Sequence, residues 1–317
     1  MFRTSHSLNF GECPTPIQEA VEFLRPKDSP WYFARFGGAG DGSYLLPDSM
    51  GDISACFSPG VRNSKAFEDE LLEKAGVRSH LMDFTSDPEH FSTRLRDGLQ
   101  TFEKKWLAPS SGKDELSLAD WIARYEPDSA SDFILQIDIE GGEWPIFASV
   151  SADTIRRFKV IVVELHKLDG LMTNFEAFSS IAADAFSLLR EHFTVIHAHP
   201  NNCCGVSQDV YGSGIKVPRT LEVTMVRSDY LEENLESFPV KSPTLPHPLD
   251  IKRNVPGTPP IFLGRGWRDH PMSVGTTLRV ILQRLEYDVF WNWKRLIPGG
   301  VYRRLKQLAR DVLNVKR

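Results

Sequence analysis

Apolar positions along the chain fall into short runs that alternate with stripes at helical spacing. The segment 30–46, PWYFARFGGAGDGSYLL, predicts an apolar strand, a Gly-rich turn carrying an acid, and a second short strand, that is, a hairpin. ISACFSP (53–59) is mostly apolar and stops at a Pro-Gly turn. In the SKAFEDELLEKAG that follows, Phe67, Leu71, Leu72 and Ala75 share one helical face. Strand, turn and helix in this order open a βαβ unit. Gly76 suits the left-handed cap of that helix, and VRSHLMDF (77–84) reads as the next strand, with Asp83 near its carboxyl end.

Ser117 is placed to cap a short helix through DWIARY (120–125), and DFILQIDI (132–139) has the continuous apolar character of a buried strand. A helix is expected from near Glu143 past Ile155, then a buried strand in KVIVVELH (159–166). Another helix is expected through 173–190, where Phe175, Phe178, Ile181, Ala182, Phe186 and Leu189 keep helical spacing. HFTVIHAH (192–199) and TLEVTMVR (220–227) are two late strands in succession. The alternation implies an α/β fold, a mostly parallel sheet with helices on both faces and one antiparallel member near an edge.

Prolines accumulate after Tyr230, which divides the chain into an N-terminal segment with the Gly-rich hairpin (1–52), an α/β core (53–230), a Pro-rich extended wrap (231–270) and a helical tail (271–317). From Val289 onward the tail carries eight Lys or Arg against one Asp, with Phe290, Trp291, Trp293 and Tyr302 among them. That mixture suits an interfacial helix at an anionic membrane, the alternative being a helix packed on the domain with a solvated basic face.

The net charge of −5 provides no general attraction for polyanions, so nucleic acid is excluded as the main partner and a small-molecule or glycan acceptor fits better. Four cysteines, Cys13, Cys56, Cys203 and Cys204, lack both disulfide density and paired zinc spacing, and are expected as free thiols in a reducing compartment. With no signal-like or membrane-spanning apolar run, the expected location is the cytoplasm, with peripheral contact at the inner face of the membrane through the tail.

In an open parallel sheet a ligand binds beyond the carboxyl ends of the strands, near the point where strand order reverses. Ser58 and Gly60 lie at the first such end, where a glycine lets a ligand approach backbone and helix N-terminus. Asp83, roughly 23 positions on, is spaced to accept both ribose hydroxyls of a nucleoside. Asp138, Glu140 and Glu143 surround Gly141-Gly142 at the end of the apolar run, and three carboxylates there call for a cation, a proton or a hydrogen-bonding ligand; Glu143 could equally cap the next helix. His166, two residues after Glu164, is the candidate general base for a hydroxyl proton. His197, His199, Asn201 and Asn202 gather imidazoles and amides suited to a hydroxyl-rich substrate, or to ordinary turn chemistry.

These residues resemble the FkbM-type S-adenosylmethionine-dependent methyltransferases. The resemblance rests mainly on LQIDIEGGEWPIF (135–147), with SLADWIARY (117–125) before it and VVELH (162–166) after it in the right order. A narrower likeness joins Arg35 to Tyr44, which places Gly38 and Asp41 with the donor contacts, to SPGVRNSKAFEDEL (58–71), to His199–Asn202 and to PHPLD (246–250), so that about residues 30–265 are covered. The resemblance implies a class I Rossmann-like methyltransferase fold, S-adenosylmethionine as donor, and O-methylation of hydroxyls on glycans or secondary metabolites. It departs at Ser58-Pro-Gly60, where the wider class has an acidic Gly-x-Gly turn.

On this reading Ser58, Gly60, Asp83, Asp138, Gly38 and Asp41 hold the donor, Glu143, His197, His199, Asn201 and Asn202 hold the acceptor, and His166, Asp138 and Glu140 carry the chemistry. Asp138 and Glu140 are second choices as base, or ligands for Mg²⁺. Two rivals remain: a metal-dependent hydrolase built on Asp138, Glu140, Glu143 and His166, and a Rossmann-like binding protein without turnover.

Overall fold

The computed structural model describes residues 11–38, 40–128, 130–250, 254–255, 258–268 and 271–288. Helix α1 (Thr15–Leu24), which the sequence reading did not include, follows Pro14 and buries Ile17, Ala20, Val21 and Leu24. The hairpin forms as expected, β1 (Phe33–Phe36) pairing antiparallel with β2 (Tyr44–Pro47). Strand β3 (Ala55–Pro59) leads into α2 (Ala66–Ala75), which ends at Gly76 with φ 69° in the left-handed region. The buried face of α2 differs from the expected one: Phe67, Glu68 and Leu71 are inside, while Ala75 is exposed.

Strand β4 (Arg78–Met82) follows, then β5 (Gln100–Glu103), and a small pair, β6 (Trp106–Leu107) with β7 (Glu115–Leu116). Helix α3 (Leu118–Tyr125) is capped by Ser117, whose hydroxyl accepts from the Asp120 N–H, and it precedes β8 (Phe133–Ile137). The single helix expected from Glu143 past Ile155 is two, α4 (Glu143–Ser149) and α5 (Ala152–Ile155), because Ser151 caps a new start by accepting from the Thr154 N–H.

After β9 (Phe158–Leu165) comes α6 (Leu168–Thr173), and the helix expected through 173–190 is likewise divided into α7 (Phe175–Ile181) and α8 (Ala183–His192). Here Asn174 caps α7 through the Ala177 N–H. Strand β10 (Phe193–Pro200) precedes a small pair, β11 (Val206–Asp209) and β12 (Lys216–Pro218), and then β13 (Leu221–Arg227). Helix α9 (Ser228–Ser237) runs through residue 230, and extended chain begins beyond it. Helix α10 (Val274–Tyr287) starts at the cap Ser273, and the basic stretch from Val289 lies outside the described residues.

The central sheet has the order β10-β13-β9-β8-β3-β4-β5. Strand β13 is antiparallel to both neighbours, and the other pairings are parallel. This is the mostly parallel sheet with one antiparallel member that the apolar pattern implied. Strand order reverses between β3 and β8, so the crevice beyond their carboxyl ends is where such a sheet takes a ligand.

One face of the sheet carries Ala55, Phe57, Phe133, Leu135 and Phe158 against Trp121, Trp144, Phe147 and Leu189 from the helices. The other carries Cys56, Ile134, Val160, Val162 and Val226 under the hairpin, α2 and α9. On this second face the apolar positions give way, at the carboxyl edge, to Ser58, Gln136, Glu164, Glu222 and His199. Glu222 stands opposite both Glu164 on β9 and His199 on β10. Buried polar groups in one row need partners or a ligand.

The cysteines depart in part from expectation. Cys13 and Cys56 are buried and free, but Cys203 and Cys204 are joined as a disulfide between neighbours. The bond lies in the turn after β10, where the Asn201 side-chain oxygen accepts the Cys203 N–H at 3.0 Å and bends the chain.

Candidate active site

A cavity of about 660 Å³ opens at the β3/β8 crevice, between the Gly-rich turn of the hairpin and the turn after β4. Its walls include Asp41, Gly60, Glu68, Asp83, Gln136, Asp138 and Glu140. Gly60 has φ +87°, and a Cβ there would lie 1.8 Å from the Asp138 carbonyl oxygen. The glycine is thus required by the close approach of two turns, and its N–H is spent on the Met82 carbonyl at 2.9 Å. It shapes the cavity floor rather than offering a free donor. Gly38, at φ +80°, is exposed and gives its carbonyl to Arg35 Nε, outside the cavity wall.

Asp83 is buried and lines the cavity, but both of its oxygens are engaged. Oδ2 accepts from the Arg62 N–H and Ser86 Oγ at 2.8 Å each, and Oδ1 from the Thr85 N–H and Oγ1 at 2.7 Å each. Burial alone would raise its pKa; these hydrogen bonds together lower it. Asp83 holds the Arg62 turn against the 83–86 turn, and ribose hydroxyls would have to exchange with donors already present.

His166 follows β9, and Glu143 fixes it. Glu143 Oε1 accepts the His166 N–H at 2.6 Å and lies 3.2 Å from the ring Nδ1, while Oε2 accepts the Gly141 N–H at 2.8 Å. The His166 carbonyl accepts from Trp144 Nε1 at 3.0 Å. The Glu143 side chain is fully buried, so the acceptor-binding role expected for it gives way to positioning of His166. Nε2 of the same ring faces outward, 3.5 Å from Glu140 Oε2, 3.6 Å from Glu164 Oε1 and 3.8 Å from Asp138 Oδ1. The structure therefore brings together the three residues expected to carry the chemistry.

Charge in this corner is predominantly negative. Burial, with Glu140 and Asp41 nearby, pushes Asp138 up to about 7 against the pull of His166. Burial with Asp138, Glu222 and Asp41 nearby pushes Glu164 up to about 10. Burial would lower the His166 pKa, but Glu143, Asp138 and Glu140 raise it. Glu140 itself is exposed, at φ 58°, and paired with Arg62 at 2.7 Å.

Ser58 does not reach the cavity. Its hydroxyl is buried between Glu68, a short contact, and Gln136 Oε1 at 2.5 Å. Burial pushes Glu68 up to about 7, so near neutrality a protonated Glu68 can donate to Ser58, which then donates to Gln136. Gln136 Nε2 lies 3.5 Å from Tyr44 Oη, which in turn lies 3.4 Å from Asp138 Oδ2. A polar chain thus runs beneath the cavity from Glu68 to Asp138. Glu68, Gln136 and Tyr44 were not singled out in the sequence; the one local signal was Gln136, a polar residue two positions after the buried Ile134.

The proposed acceptor residues separate. Asn201 stays at the site, its Nδ2 donating to Glu164 Oε1 at 3.0 Å and lying 3.4 Å from Asp41 Oδ1. Asn254 joins Asp41 at 3.1 Å and Glu222 at 2.5 Å. Asn202 instead holds the chain at Val255 and Thr258, donating to the Thr258 Oγ1 at 2.7 Å and accepting the Val255 N–H at 2.9 Å. His197 is buried with Nε2 3.2 Å from Asp250 Oδ1, between Phe33 and His247. Its partners are all protein groups, so it fastens the PHPLD loop. His199 lies 3.6 Å from the same carboxylate; burial would lower its pKa, but Asp250 and Glu222 raise it to about 9.

Residues 52–203 match the family model of the methyltransferase FkbM domain. That segment is similar to an FkbM methyltransferase domain. No curated protein matches the sequence. The matched segment runs from just before β3 to Cys203 and contains Gly60, Glu68, Asp83, Asp138, Glu143 and His166. The match is narrower than the span 30–265 suggested by resemblance. Asp41 and Tyr44 of the hairpin therefore line the cavity from outside the matched segment, and Asn254, also outside it, joins Asp41 to Glu222 of β13.

Proposed function

We propose that the protein transfers the methyl group of S-adenosylmethionine to a hydroxyl of a sugar, glycan or secondary metabolite. The observation that carries this reading is the ring of His166, oriented by buried Glu143 and presenting Nε2 at the edge of the crevice. The donor occupies the cavity, with its nucleoside toward Asp83 and its sulfonium toward the carboxylates around Asp138, where a positive charge is favoured. The acceptor lies between Asp41, Asn201 and Glu164, whose amide and carboxyl groups suit a hydroxyl-bearing molecule.

In this arrangement an acceptor oxygen attacks the methyl carbon in line with the C–S bond. The O–C bond forms as C–S breaks, the sulfonium becomes a neutral thioether, and the hydroxyl proton passes to His166 Nε2. The fold supplies alignment and a place for the proton. Glu143, Asp138 and Glu140 favour the imidazolium that results.

A second reading is favoured by one set of distances. The separations of 3.5–3.8 Å between His166 Nε2 and three carboxylate oxygens are too long for good hydrogen bonds, and Asp138, Glu140 and His166 offer atoms grouped closely enough to share one cation. A divalent ion there would activate the hydroxyl directly.

Calorimetric titration with S-adenosylmethionine and S-adenosylhomocysteine tests the donor site, using wild type and Asp138→Ala. Binding weakened by the substitution supports the reading; folded protein with no affinity for either ligand rejects it and leaves the hydrolase or a binding role. Titration with Mn²⁺ followed by electron paramagnetic resonance separates the cation reading, since a base mechanism predicts no bound ion.

A further inference from the structure

Cys203 and Cys204, neighbours in sequence, are joined in the turn that follows β10. Cys204 is exposed and Cys203 half-buried, whereas Cys13 and Cys56 are free thiols inside the protein. A disulfide between neighbours closes a small ring through the peptide bond they share. The backbone at both residues is therefore held by the S–S bond and is freed when that bond opens.

The ring reaches the crevice through one buried side chain. The Cys203 N–H donates to Asn201 Oδ1 at 3.0 Å, while Nδ2 of the same amide donates to Glu164 Oε1 at 3.0 Å and lies 3.4 Å from Asp41 Oδ1. An amide partnered at both ends keeps one orientation; without a partner at Oδ1 it turns easily about its last side-chain bond. The main chain on either side of the ring is fixed separately, since the Asn201 N–H donates to the Thr220 carbonyl at 3.1 Å and the Arg219 N–H to the Gly205 carbonyl at 3.1 Å. Opening the ring thus changes the backbone between two fixed points, where the Cys203 N–H lies.

We infer that Cys203–Cys204 is a redox modification site, a disulfide that a dithiol reductant opens and whose opening releases Asn201 from its hold on Glu164 and Asp41. A thiolate of the dithiol attacks the exposed Cys204 Sγ; the S–S bond breaks, and its electron pair goes to Cys203 Sγ, which takes up a proton. The second thiolate of the reductant then displaces Cys204 Sγ, which is protonated in turn, and the reductant leaves as its own disulfide, so that two electrons and two protons pass to the protein. Cys203 Sγ lies 3.6 Å from Thr220 Oγ1, and as a thiol it has a proton to give that buried hydroxyl. The inference depends on the geometry of the turn and not on methyl transfer, so failure of that reading leaves its test intact.

The test follows side-chain amide resonances of the full chain labelled with ¹⁵N at asparagine, first oxidised with diamide and then treated with dithiothreitol without denaturant. The Asn201 signals are assigned by their disappearance in Asn201→Ala, and the redox state is read by iodoacetamide alkylation and mass. Reduction is expected to leave Cys203 and Cys204 alkylated on folded protein and to shift the Asn201 signals. Those of Asn234, which donates within its own helix, should stay in place. Cys204→Ser cannot form the pair and should show the reduced-state signals with no reductant present. A pair that still alkylates after diamide, or that dithiothreitol does not open in folded protein, overturns the inference. So does reduced protein, or Cys204→Ser, whose Asn201 signals match those of oxidised wild type.

Discussion

Glu143 and His166 are joined twice, through the backbone N–H of the histidine at 2.6 Å and through its ring Nδ1 at 3.2 Å, both to the same carboxylate oxygen. An oxygen that already accepts the backbone N–H favours a proton on Nδ1 and leaves Nε2 turned toward Asp138, Glu140 and Glu164. Because Glu143 has no exposed surface, it acts on the reaction only through His166.

Replacing His166 by Ala should therefore lower the rate of methyl transfer by about two to four orders of magnitude while leaving S-adenosylhomocysteine affinity within a few-fold. Glu143→Gln should lower it by about ten- to a hundredfold, since the amide keeps an acceptor but loses the charge that favours the imidazolium. Single-turnover methyl transfer beside calorimetry separates the two effects. Equal loss of donor affinity and rate in His166→Ala would assign the histidine to binding.

Glu68 gives a prediction about stability and pH. Its folded pKa near 7 is above the ordinary carboxyl value, so its contribution is full below that ordinary value and is lost as pH rises toward 7 and beyond. Glu68→Gln keeps a neutral donor to Ser58 and does not ionise. Relative to wild type, the variant should gain stability between about pH 4.5 and 7 and hold the gain above, by roughly 3 kcal/mol at most. Denaturant melts at pH 5 and pH 8 measure this, and a gap that stays constant would place the titration elsewhere.

How far the sequence disclosed this site follows from the range of each interaction. The strand ends bearing Asp83, Asp138 and His166 were legible because each closes a short run that reads as a strand, and Gly60 and Gly76 because a turn and a helix end announce themselves locally. Glu68 was not, since an acid on a helix looks solvent-facing until Ser58 and Gln136 are known to lie beneath it. Glu222 was not, because its place opposite Glu164 depends on β13 inserting antiparallel between β9 and β10. The histidines at 197 and 199 were read as acceptor contacts because their partner, Asp250, lies about fifty residues away in a proline-rich loop.

That loop supplies the next prediction. Asp250 is buried, takes the His247 N–H at 2.9 Å and lies 3.2 Å from His197 Nε2, and burial is outweighed by His197 and His199, which hold its carboxyl well below the usual range. Its stabilising effect is present above the ordinary carboxyl pKa and is lost as pH falls below it. Asp250→Asn should cost about 3–5 kcal/mol at neutral pH and a smaller amount in strong acid. Thermal melts read the stability, and faster tryptic cleavage between 241 and 268 would mark release of the wrap. An unchanged melt at neutral pH would show that the histidines are held by packing alone.

Two glycines with the same backbone hand separate shape from conformation. Gly60 at φ +87° and Gly76 at φ +69° both occupy the left-handed region, yet a Cβ at Gly60 would strike the Asp138 carbonyl while one at Gly76 meets nothing within 4 Å. Gly76→Ala should therefore cost only the conformational penalty, about 1 kcal/mol, with donor affinity unchanged. Gly60→Ala must part the turn after β3 from the turn after β8, so it should cost more than about 2 kcal/mol and weaken S-adenosylhomocysteine binding even at temperatures where it is fully folded. Calorimetry on both variants, each shown folded by circular dichroism, decides the matter. If Gly60→Ala binds the donor product as wild type does, the cavity floor at the β3/β8 crevice is not where that ligand rests.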